Sequence, residues 1–348
     1  MSGERPDGSA GGKHEPPVNR RIIIGSLPAG ALQADDYELQ TEPAPQPAAG
    51  EVLVRTMALT IGAGQRAGLQ GSAGYAGSPT TGIVMGGTGV GRVVTSRAEG
   101  IDPGDLVAGL TGWQDYAILR PGDVRVVDPD VDPALHLSLF GTNGLTAYFG
   151  LFEVGRPEPG ETVLVSAASG SVGHLVGQFA RARGCRVIGV TGSDAKMEVL
   201  TGRLGFDAAV NHRSPTFRQE LKAVTGDGVD VYFDNTGGDI LGAALRRMNP
   251  HGRIVCCGVV SQYDTDDPQP GPRGIPGLLV NKRVRMEGFL VFDFADRFEE
   301  ARRQLRTWLD TGAVESLHDE VTGLDNAPAA FVDLLAGGNI GTRIVRVG

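Results

Sequence analysis

The chain has 348 residues, 41% of them apolar, which is enough to build about two hydrophobic cores. Its 41 acidic and 32 basic residues give a net charge of -9 without any cluster of Lys or Arg, and no apolar run reaches the roughly 18 to 20 residues that span a bilayer. Partners among nucleic acids and membranes are therefore not expected. Because the N-terminus also lacks an apolar signal segment, the composition predicts a cytoplasmic protein that acts on small molecules.

The first part of the chain predicts a β-rich domain after a short tail. Residues 1–18 are rich in Gly, Pro and charge, and cannot bury enough apolar area to offset the entropy of ordering, so we expect a disordered tail. Residues 19–140 contain short β-like runs broken by Gly and Pro, which is typical of a compact barrel-like domain. These runs include "EVLVRTMALTI", "VGRVVTSR", "DLVAGLTG" and "WQDYAIL".

From about residue 141 apolar strands alternate with helices. The strand runs include "TVLVS", "CRVIGV", "AAV", "VDVYFD" and "RIVCCG". This alternation indicates right-handed crossovers and a parallel sheet that helices cover on both faces, an α/β doubly wound fold. An amphipathic helix, "ADRFEEARRQLRTWLDTG", follows, and the final strand "RIVRV" is expected to return to the first domain.

A glycine-bearing loop joins the first of these strands to its helix, in "SAASGSVGHLVGQFARARG" at residues 166–184. The dinucleotide fingerprint Gly-x-Gly-x-x-Gly is met at Gly170 and Gly173, whereas Ala168 stands at the first position. Alanine is tolerable there if its φ stays negative, and the helix N-terminus still attracts an anion. The loop is predicted to bind a dinucleotide pyrophosphate; the alternative is a plain tight turn.

The end of the next strand indicates which dinucleotide. An NAD site places Asp or Glu about 20 residues past the glycines, but "VIGVTGSDAK" has Thr191, Gly192 and Ser193 there. Ser193 and Lys196 can both donate to a 2′-phosphate, which predicts NADP(H). Two alternatives stay open: Lys196 is only a solvated helix residue, or Asp194 is a displaced acidic selector.

Cysteine and histidine spacing gives no sign of a metal site. The chain has three cysteines and six scattered histidines, and no Cys-x-x-Cys occurs. Cys256 and Cys257 are adjacent in an apparent strand, so they must point to opposite faces. No metal is therefore predicted.

Several segments together resemble one family, namely "AASGSVG", "GCRVIGVTGSDAK", "GVDVYFDNTGGDIL", "RIVCCGVVSQY", "RMEGFLVFD" and "GNIGTRIVRVG". They are similar to the zinc-free medium-chain dehydrogenase/reductases of the prostaglandin reductase, leukotriene B4 dehydrogenase and plant double-bond reductase group. The resemblance implies a GroES-like β-barrel domain at 19–141 and 313–348, a Rossmann NADP-binding domain at 142–312, and a homodimer. It also implies NADPH-dependent reduction of the carbon–carbon double bond of α,β-unsaturated ketones or aldehydes, without zinc.

Carried over position by position, the resemblance implies contacts to the pyrophosphate, the 2′-phosphate and the nicotinamide half of the cofactor. Together with Ser193 these cofactor-binding residues are Gly170, Ser171, Val172, Gly173, Lys196, His212, Asn235, Cys257, Gly258, Val259, Val260, Ser261, Tyr263, Phe289, Leu290, Val291, Asn339 and Thr146. The family usually has a tyrosine in an Asn-Tyr-Lys triplet where this chain reads "NHR". His212 is expected to stack or hydrogen-bond there, and Arg213 to add charge.

Tyr263 is the candidate catalytic residue to which the resemblance points. Hydride transfer to the β-carbon of an enone places negative charge on the carbonyl oxygen, so a preorganised donor at that oxygen lowers the barrier. The Tyr263 phenol is expected to supply it, helped by the ribose hydroxyl, with the α-carbon protonated from Tyr263 or water. The alternative is a tyrosine that only packs after a strand.

The substrate side departs from the family at residues 62–66, which read "GAGQR" where the family commonly has Asp-Pro-Tyr-Met-Arg. Arg66 is retained, whereas Gly64 replaces a tyrosine, so this stretch is expected to be a loop beside a roomier substrate pocket. Gly64, Arg66 and Tyr263 are the residues expected to contact the substrate. The glycine-rich residues 67–89 are expected to form a mobile flap. Alternatively Tyr75 or a partner chain refills the space.

Two other functions fit the same residues. One is a quinone or other carbonyl oxidoreductase of the same superfamily. The other is a nucleotide-binding protein with little catalysis, since a fold does not fix a function.

Overall fold

The computed structural model describes residues 17–72, 74, 77–268 and 271–348. Of the tail predicted at 1–18, residues 1–16 lie outside the described residues. Its last member, Val18, was wrongly assigned to the tail, because Val18 pairs with Pro43 at the start of a two-stranded antiparallel ribbon. Backbone pairing therefore extends the ordered chain beyond what composition predicts.

The strands of the described residues are, in chain order, β1 (Val18–Ile24), β2 (Tyr37–Pro43), β3 (Val52–Ile61), β4 (Gly89–Ser96), β5 (Leu106–Gly109), β6 (Tyr116–Leu119), β7 (Val124–Val126), β8 (Thr162–Val165), β9 (Arg186–Thr191), β10 (Ala208–Asn211), β11 (Val229–Asp234), β12 (Met248–Cys256), β13 (Arg285–Gly288), β14 (His318–Thr322) and β15 (Thr342–Arg346). The α-helices are α1 (Ala63–Leu69), α2 (Pro133–Leu137), α3 (Thr142–Phe149), α4 (Gly173–Ala182), α5 (Asp194–Glu198), α6 (Phe217–Val224), α7 (Gly238–Arg247), α8 (Ile275–Lys282), α9 (Phe298–Asp310) and α10 (Ala327–Leu335).

The second half of the chain forms a six-stranded parallel sheet in the order β10-β9-β8-β11-β12-β13. This strand order is the doubly wound Rossmann arrangement, so that prediction is confirmed. β8 is buried along its whole length because it feeds two cores. Val163 and Val165 pack in the core that includes α4, while Leu164 packs in the core that includes α6 and α7. The burial of both faces explains why these strands are continuous apolar runs.

Strands from the first half and from the C-terminus form a second sheet in the order β14-β15-β3-β4-β5-β7, with β6 also paired to β3; this sheet is antiparallel except for the parallel pair β14–β15. The C-terminal strand does return to this sheet, with Arg343 opposite Ile61, as "RIVRV" predicts. Trp113 is fully buried and stacks on Tyr37, while its ring also meets Phe331 of α10 edge-on. Both ends of the chain thus contribute to one sheet and its core. The domain boundaries at 141/142 and 312/313 stay a prediction.

Helices that could cross a bilayer are missing from the described part of the chain, since none of them is long and apolar enough.

Candidate functional site

The carboxyl ends of the parallel strands all lie at one end of the Rossmann sheet, its carboxyl end. The loops that leave the carboxyl end of the sheet carry nearly all the predicted cofactor residues. The glycine loop follows β8, and Ser193 and Lys196 follow β9. Asn235 follows β11, and the stretch from Cys257 to Tyr263 follows β12. The strand order therefore places the predicted phosphate residues toward β9 and β10, and Tyr263 at the opposite end.

The glycine loop accommodates alanine because its strained residue lies one position earlier. Ala167 has the positive φ, 45°, whereas Ala168 does not, and Ala168 is fully buried. At Gly173 the requirement for glycine is steric: a Cβ there would lie 2.3 Å from the carbonyl oxygen of Ala167. A Cβ at Gly170 would be 3.2 Å from the same oxygen. The turn therefore brings the N-terminus of α4 close to the end of β8, as anion binding there requires.

The segment before β15 lies along this loop. Gly341 pairs with Gly170, its N–H donates to the Ser169 carbonyl over 2.8 Å, and its own carbonyl accepts from Ser171 Oγ over 3.4 Å. Asn339 is buried and its side chain donates to the Gly341 carbonyl over 2.8 Å. A residue from near the C-terminus thus supports the backbone that faces the glycine loop.

His174, which the sequence did not single out, connects the same two parts of the chain. Its Nδ1 lies 2.8 Å from the Gly170 carbonyl oxygen, and the Leu317 N–H donates to its Nε2 over 3.1 Å. These partners fix the neutral tautomer with the proton on Nδ1. Complete burial lowers the pKa of His174 to about 4, so the ring is neutral at physiological pH.

The residues predicted to contact a 2′-phosphate come together near the end of α10. Ser193 caps α5 by accepting from the Lys196 N–H over 3.4 Å, which leaves its hydroxyl proton available to a ligand. Lys196 Nζ donates to the Gly337 carbonyl over 2.6 Å. Asp194 accepts a hydrogen bond from the Asn211 side chain over 2.9 Å, so this carboxylate has a structural partner.

Two further groups surround this position. The side chains of His212 and Arg213 approach Gly192, where a Cβ would lie 3.4 Å from His212 Nε2 and 3.7 Å from Arg213 Nε. Burial, followed by the charge of Arg213, lowers the pKa of Lys196 and that of His212. A cavity of about 460 Å³ opens beside His212, between the starts of α6 and α7. The arrangement concentrates positive charge at the tips of β9 and β10.

Asp234, at the end of β11, organises the centre of the carboxyl end of the sheet. This carboxylate is buried and accepts from the Tyr232 hydroxyl over 2.8 Å and from the N–H groups of Thr236 and Gly237 over 3.0 and 2.8 Å. Asn235 follows it and donates from its side chain to the Ser166 carbonyl over 2.8 Å. The loops after β8 and β11 are therefore fixed to each other.

The loop after β12 pairs with the loop after β11 through its backbone. Cys257 and Gly258 donate to the Asp234 carbonyl over 2.9 and 3.2 Å. Val260 donates to the Asn235 carbonyl over 3.2 Å, and Ser261 to that of Thr236 over 3.1 Å. Val259 packs its side chain near Gly237, where a Cβ would be 3.2 Å from it.

The two cysteines at the end of β12 face opposite cores, as predicted. Cys256 packs against the core that includes α7, and Cys257 against the one that includes α4. Burial raises the pKa of the Cys257 thiol to about 12, so it remains protonated. Both residues are half-buried.

The remaining residues predicted on the nicotinamide side lie around α3. Phe289 packs against the end of α3, where a Cβ on Gly150 would be 2.6 Å from its ring. Thr146 is half-buried on the same helix. Val291 is buried, whereas Leu290 is 41% exposed.

Tyr263 follows a short 3₁₀ turn, Val260–Gln262, and is half-buried. Its N–H donates to the Val260 carbonyl over 3.1 Å. Its backbone is extended, with φ -87° and ψ 158°, so the chain leaves the turn at this residue.

The substrate side differs from the prediction. Residues 63–69 form helix α1 rather than a loop, because the Gln65 side chain accepts from the Gly62 N–H over 2.8 Å and caps the helix start. Gly64 is exposed in its first turn. Arg66 is 1% exposed, donates from Nε to Asp264 over 2.9 Å and from Nη2 to the Gly30 carbonyl over 2.7 Å.

Among the described residues the remaining Nη1 of Arg66 has no hydrogen-bond partner, and its predicted contact with substrate stays a prediction.

The predicted flap at 67–89 is not one continuous loop, and its mobility stays a prediction. Its first residues belong to α1, and its end is attached to β1, because Ile24 donates to the Ile83 carbonyl over 2.9 Å and Met85 to the Ile22 carbonyl over 2.8 Å. Residues 77–82 are half-buried or exposed. Residues 73, 75 and 76 lie outside the described residues, and so does the prediction that Tyr75 refills the pocket.

No group of three or more His, Cys, Asp or Glu side chains in the described ranges is arranged to hold a metal ion.

Comparisons with known proteins agree with this arrangement. A family described as "Zinc-binding dehydrogenase" matches residues 171–307, and one described as "N-terminal domain of oxidoreductase" matches residues 20–127. The chain is 37% identical over 337 residues to the NADPH-dependent curcumin reductase of Escherichia coli (strain K12), which covers 94% of this chain and 97% of that protein.

A plant enzyme and a solved structure are similar to this chain to about the same extent. The chain is 37% identical over 339 residues to a 2-alkenal reductase (NADP(+)-dependent) of Nicotiana tabacum, covering 94% of this chain and 97% of the plant protein. The crystal structure of CurA in complex with NADPH from Vibrio vulnificus matches with a TM-score of 0.91 and 36% identity, over 94% of this chain and 99% of that one.

Proposed function

The chain belongs to the zinc-independent medium-chain dehydrogenases/reductases, and on that premise we propose that it uses NADPH to reduce the carbon–carbon double bond of α,β-unsaturated ketones or aldehydes. The observation that carries the proposal is 37% identity, along almost the whole chain, to proteins named as a curcumin reductase and a 2-alkenal reductase.

The residues present fit NADPH. A Cβ at Gly173 would strike the backbone of the turn, so glycine keeps the helix start close to the strand end, where a pyrophosphate binds. Lys196 and Arg213 both reach the end of α10, at the Gly337 and Ala336 carbonyls over 2.6 and 3.5 Å. A 2′-phosphate between these cations would offset the burial and repulsion that lower the pKa of Lys196.

The chain's own groups then have separate tasks. Bound NADPH supplies the hydride for the β-carbon of the enone. We propose that Tyr263 donates a hydrogen bond to the carbonyl oxygen as negative charge develops there, and that the same phenol or water protonates the α-carbon. Asn235 and the segment from Cys257 to Ser261 would hold the nicotinamide half against this residue.

We also propose that the enzyme is a homodimer that pairs through the edge of the Rossmann sheet. β13 is the edge strand, with mostly exposed residues, and α8 beside it has no buried residue among those described. Val280 and Phe292 are 73% and 60% exposed nearby. An unpaired edge strand with exposed apolar side chains beside it is a liability unless a second copy covers it. A monomeric mass in solution at micromolar concentration would contradict this assignment.

A cytoplasmic location and the absence of nucleic-acid and membrane partners stay predictions from charge and N-terminal composition.

The direct test mixes the protein with NADPH and a panel of enones, enals and quinones, and follows NADPH absorbance together with product analysis. The expected products are saturated ketones from the enones and saturated aldehydes from the enals. Turnover confined to quinones, or reduction of the carbonyl group, would favour the alternative oxidoreductase. NADPH binding without turnover of any member would favour a nucleotide-binding protein.

A further inference from the structure

Helix α1 contacts the chain on both sides of Tyr263. Arg66 and Gln70 lie four residues apart, and therefore on the same side of the helix end. Arg66 Nε donates to the Asp264 carboxylate over 2.9 Å, and Gln70 Nε2 donates to the Gln262 carbonyl over 3.2 Å. The two residues that flank Tyr263 are thus each hydrogen-bonded to the antiparallel-sheet half of the protein.

The Arg66 contact is the stronger of the two. Its side chain is 2% exposed and that of Asp264 is 21% exposed, so water screens this pair far less than a surface pair. The same carboxylate oxygen accepts from the Leu32 N–H over 2.6 Å, and Arg66 also donates to the Gly30 carbonyl over 2.7 Å. Because the guanidinium is planar and rigid, these bonds fix both the position and the direction of the Asp264 side chain.

The contacts of Asp264 also stabilise its backbone conformation. Its φ is 58°, in the left-handed region that residues other than glycine adopt uncommonly. Tyr263 itself is extended, so the chain changes direction sharply directly after it. Loss of the Arg66 contact would therefore free the turn to relax and carry the tyrosine with it.

We propose that Arg66 and Gln70 are positioning residues that form a clamp on the Tyr263 segment and fix the phenol against the substrate carbonyl. The inference rests on the proposed function. The cofactor loops are held by the Rossmann sheet, so a tyrosine that must meet a substrate between the two halves needs an anchor in the other half. Arg66 is thus assigned to the tyrosine rather than to direct contact with substrate.

The kinetic test is a double-mutant cycle of Arg66→Met with Tyr263→Phe. Arg66→Met should lower kcat about tenfold with the NADPH Kd within about twofold of wild type, because a displaced donor weakens only the transition state. In the Tyr263→Phe background the same change should cost less than about twofold, since the group it positions is gone. An equal loss in both backgrounds would overturn the proposal. Arg20→Met is the matched control. It breaks the ion pair between Arg20 and Asp115, whose Nε–Oδ2 distance is 2.8 Å, and it should leave kcat unchanged.

Two further measurements keep the proposal testable if Arg66→Met folds poorly. Gln70→Met removes the second contact and should lower kcat by a smaller factor, with the same dependence on Tyr263. Hydrogen exchange of the Gln262 and Tyr263 amides should become faster in both α1 variants than in Arg20→Met. Unchanged exchange would show that no clamp exists.

Hydrogen exchange needs no turnover, so it separates the two proposals. A wild-type protein without reductase activity would reject the proposed function, while the exchange rates would still decide whether α1 holds the Tyr263 segment.

Discussion

The two ends of the proposed site are built on different principles. At the cofactor end, loops leave the carboxyl ends of parallel strands and are bonded to one another through backbone groups, as between Asn235 and Val260. At the substrate end, a seven-residue helix and a turn meet through side chains, chiefly Arg66 and Asp264. The structure of the cofactor end therefore depends on backbone pairing within the fold, whereas the structure of the substrate end depends on the side chains of a few individual residues.

This difference predicts where sequence changes act. Substitutions at the cofactor end should alter NADPH affinity or stability, because these loops are bonded to one another and continue directly from the strands of the sheet. Substitutions at the substrate end should alter kcat or substrate preference with little effect on NADPH binding.

The largest expected effect is that of Tyr263→Phe. Loss of an oxyanion donor costs about a hundredfold or more in kcat, and here the loss should be at or below about a hundredfold because the ribose hydroxyl remains. The NADPH Kd should change little. Tyr116→Phe, at a half-buried tyrosine of β6, serves as the matched control, with kcat of both variants measured by stopped-flow absorbance of NADPH. An unchanged kcat under chemistry-limited conditions would remove Tyr263 from the mechanism.

His174 should make the cofactor end sensitive to acid. Its pKa is about 4 in the folded protein and 6.5 in the unfolded chain, so the unfolded chain binds more protons between these pH values. The free energy of unfolding should therefore fall by about 3 kcal/mol as the pH drops from 6.5 to 4.

Denaturant unfolding over that pH range checks this prediction. His174→Gln should flatten the dependence, whereas His251→Asn, at an exposed histidine, should retain the wild-type slope. Identical slopes in all three proteins would contradict the assignment of acid sensitivity to His174.

Lys196→Ala should weaken the binding of NADPH but not that of NADH. A hydrogen bond from a charged group is worth about 1.5 to 3 kcal/mol, so the NADPH Kd and KM should rise about 10- to 100-fold while kcat is retained. NADH, which lacks the 2′-phosphate, should bind the variant and the wild type alike. Lys222→Ala, at an exposed lysine of α6, is the control. Equal wild-type efficiency with NADH and NADPH would refute the selectivity.

Gly173 at the cofactor end and Gly64 at the substrate end both lie in the first turn of a helix, so the same substitution at each allows a direct comparison of the two ends. A Cβ on Gly173 would lie 2.3 Å from the Ala167 carbonyl oxygen, so Gly173→Ala should lower the free energy of unfolding by about 1 to 3 kcal/mol and weaken NADPH binding. Gly64 is exposed, and Gly64→Ala should be neutral or stabilise by up to about 1 kcal/mol. Similar destabilisation by both changes would contradict the comparison.

The Rossmann fold and the NADP(H) cofactor were predictable because their signals are local in sequence, while the individual cofactor contacts stay predictions. Strand runs, the glycine loop and the missing acidic residue after β9 lie within one strand-helix-strand unit. The substitution at Ala168 is harmless because the left-handed φ falls on Ala167, a detail that no spacing reveals. His174 escaped notice because one of its partners, Leu317, is 143 residues away.

The substrate end was predicted less well for a physical reason. Residues 62–66 were read as a loop by comparison with relatives, although α1 is held by contacts distant in sequence, from Gln65 to Gly86 and from Arg66 to Asp264. A helix this short owes its stability to tertiary contacts rather than to propensity. The prediction therefore failed where side-chain contacts, not backbone periodicity, decide the structure.

The smallest expected effect is a change of substrate preference in Gly64→Tyr. Gly64 lies on α1, two residues before Arg66, at the position where the family resemblance implies a tyrosine. A phenol ring returned to this position should occupy space that a bulky enone would use, so kcat/KM for a bulky enone should fall relative to that for a short alkenal. Because Gly64 is exposed, the ring can partly turn to solvent, and the ratio should change by less than about tenfold. Gly64→Ala adds no ring and should keep the wild-type ratio; an unchanged ratio in Gly64→Tyr as well would mean that α1 does not line the pocket at this residue.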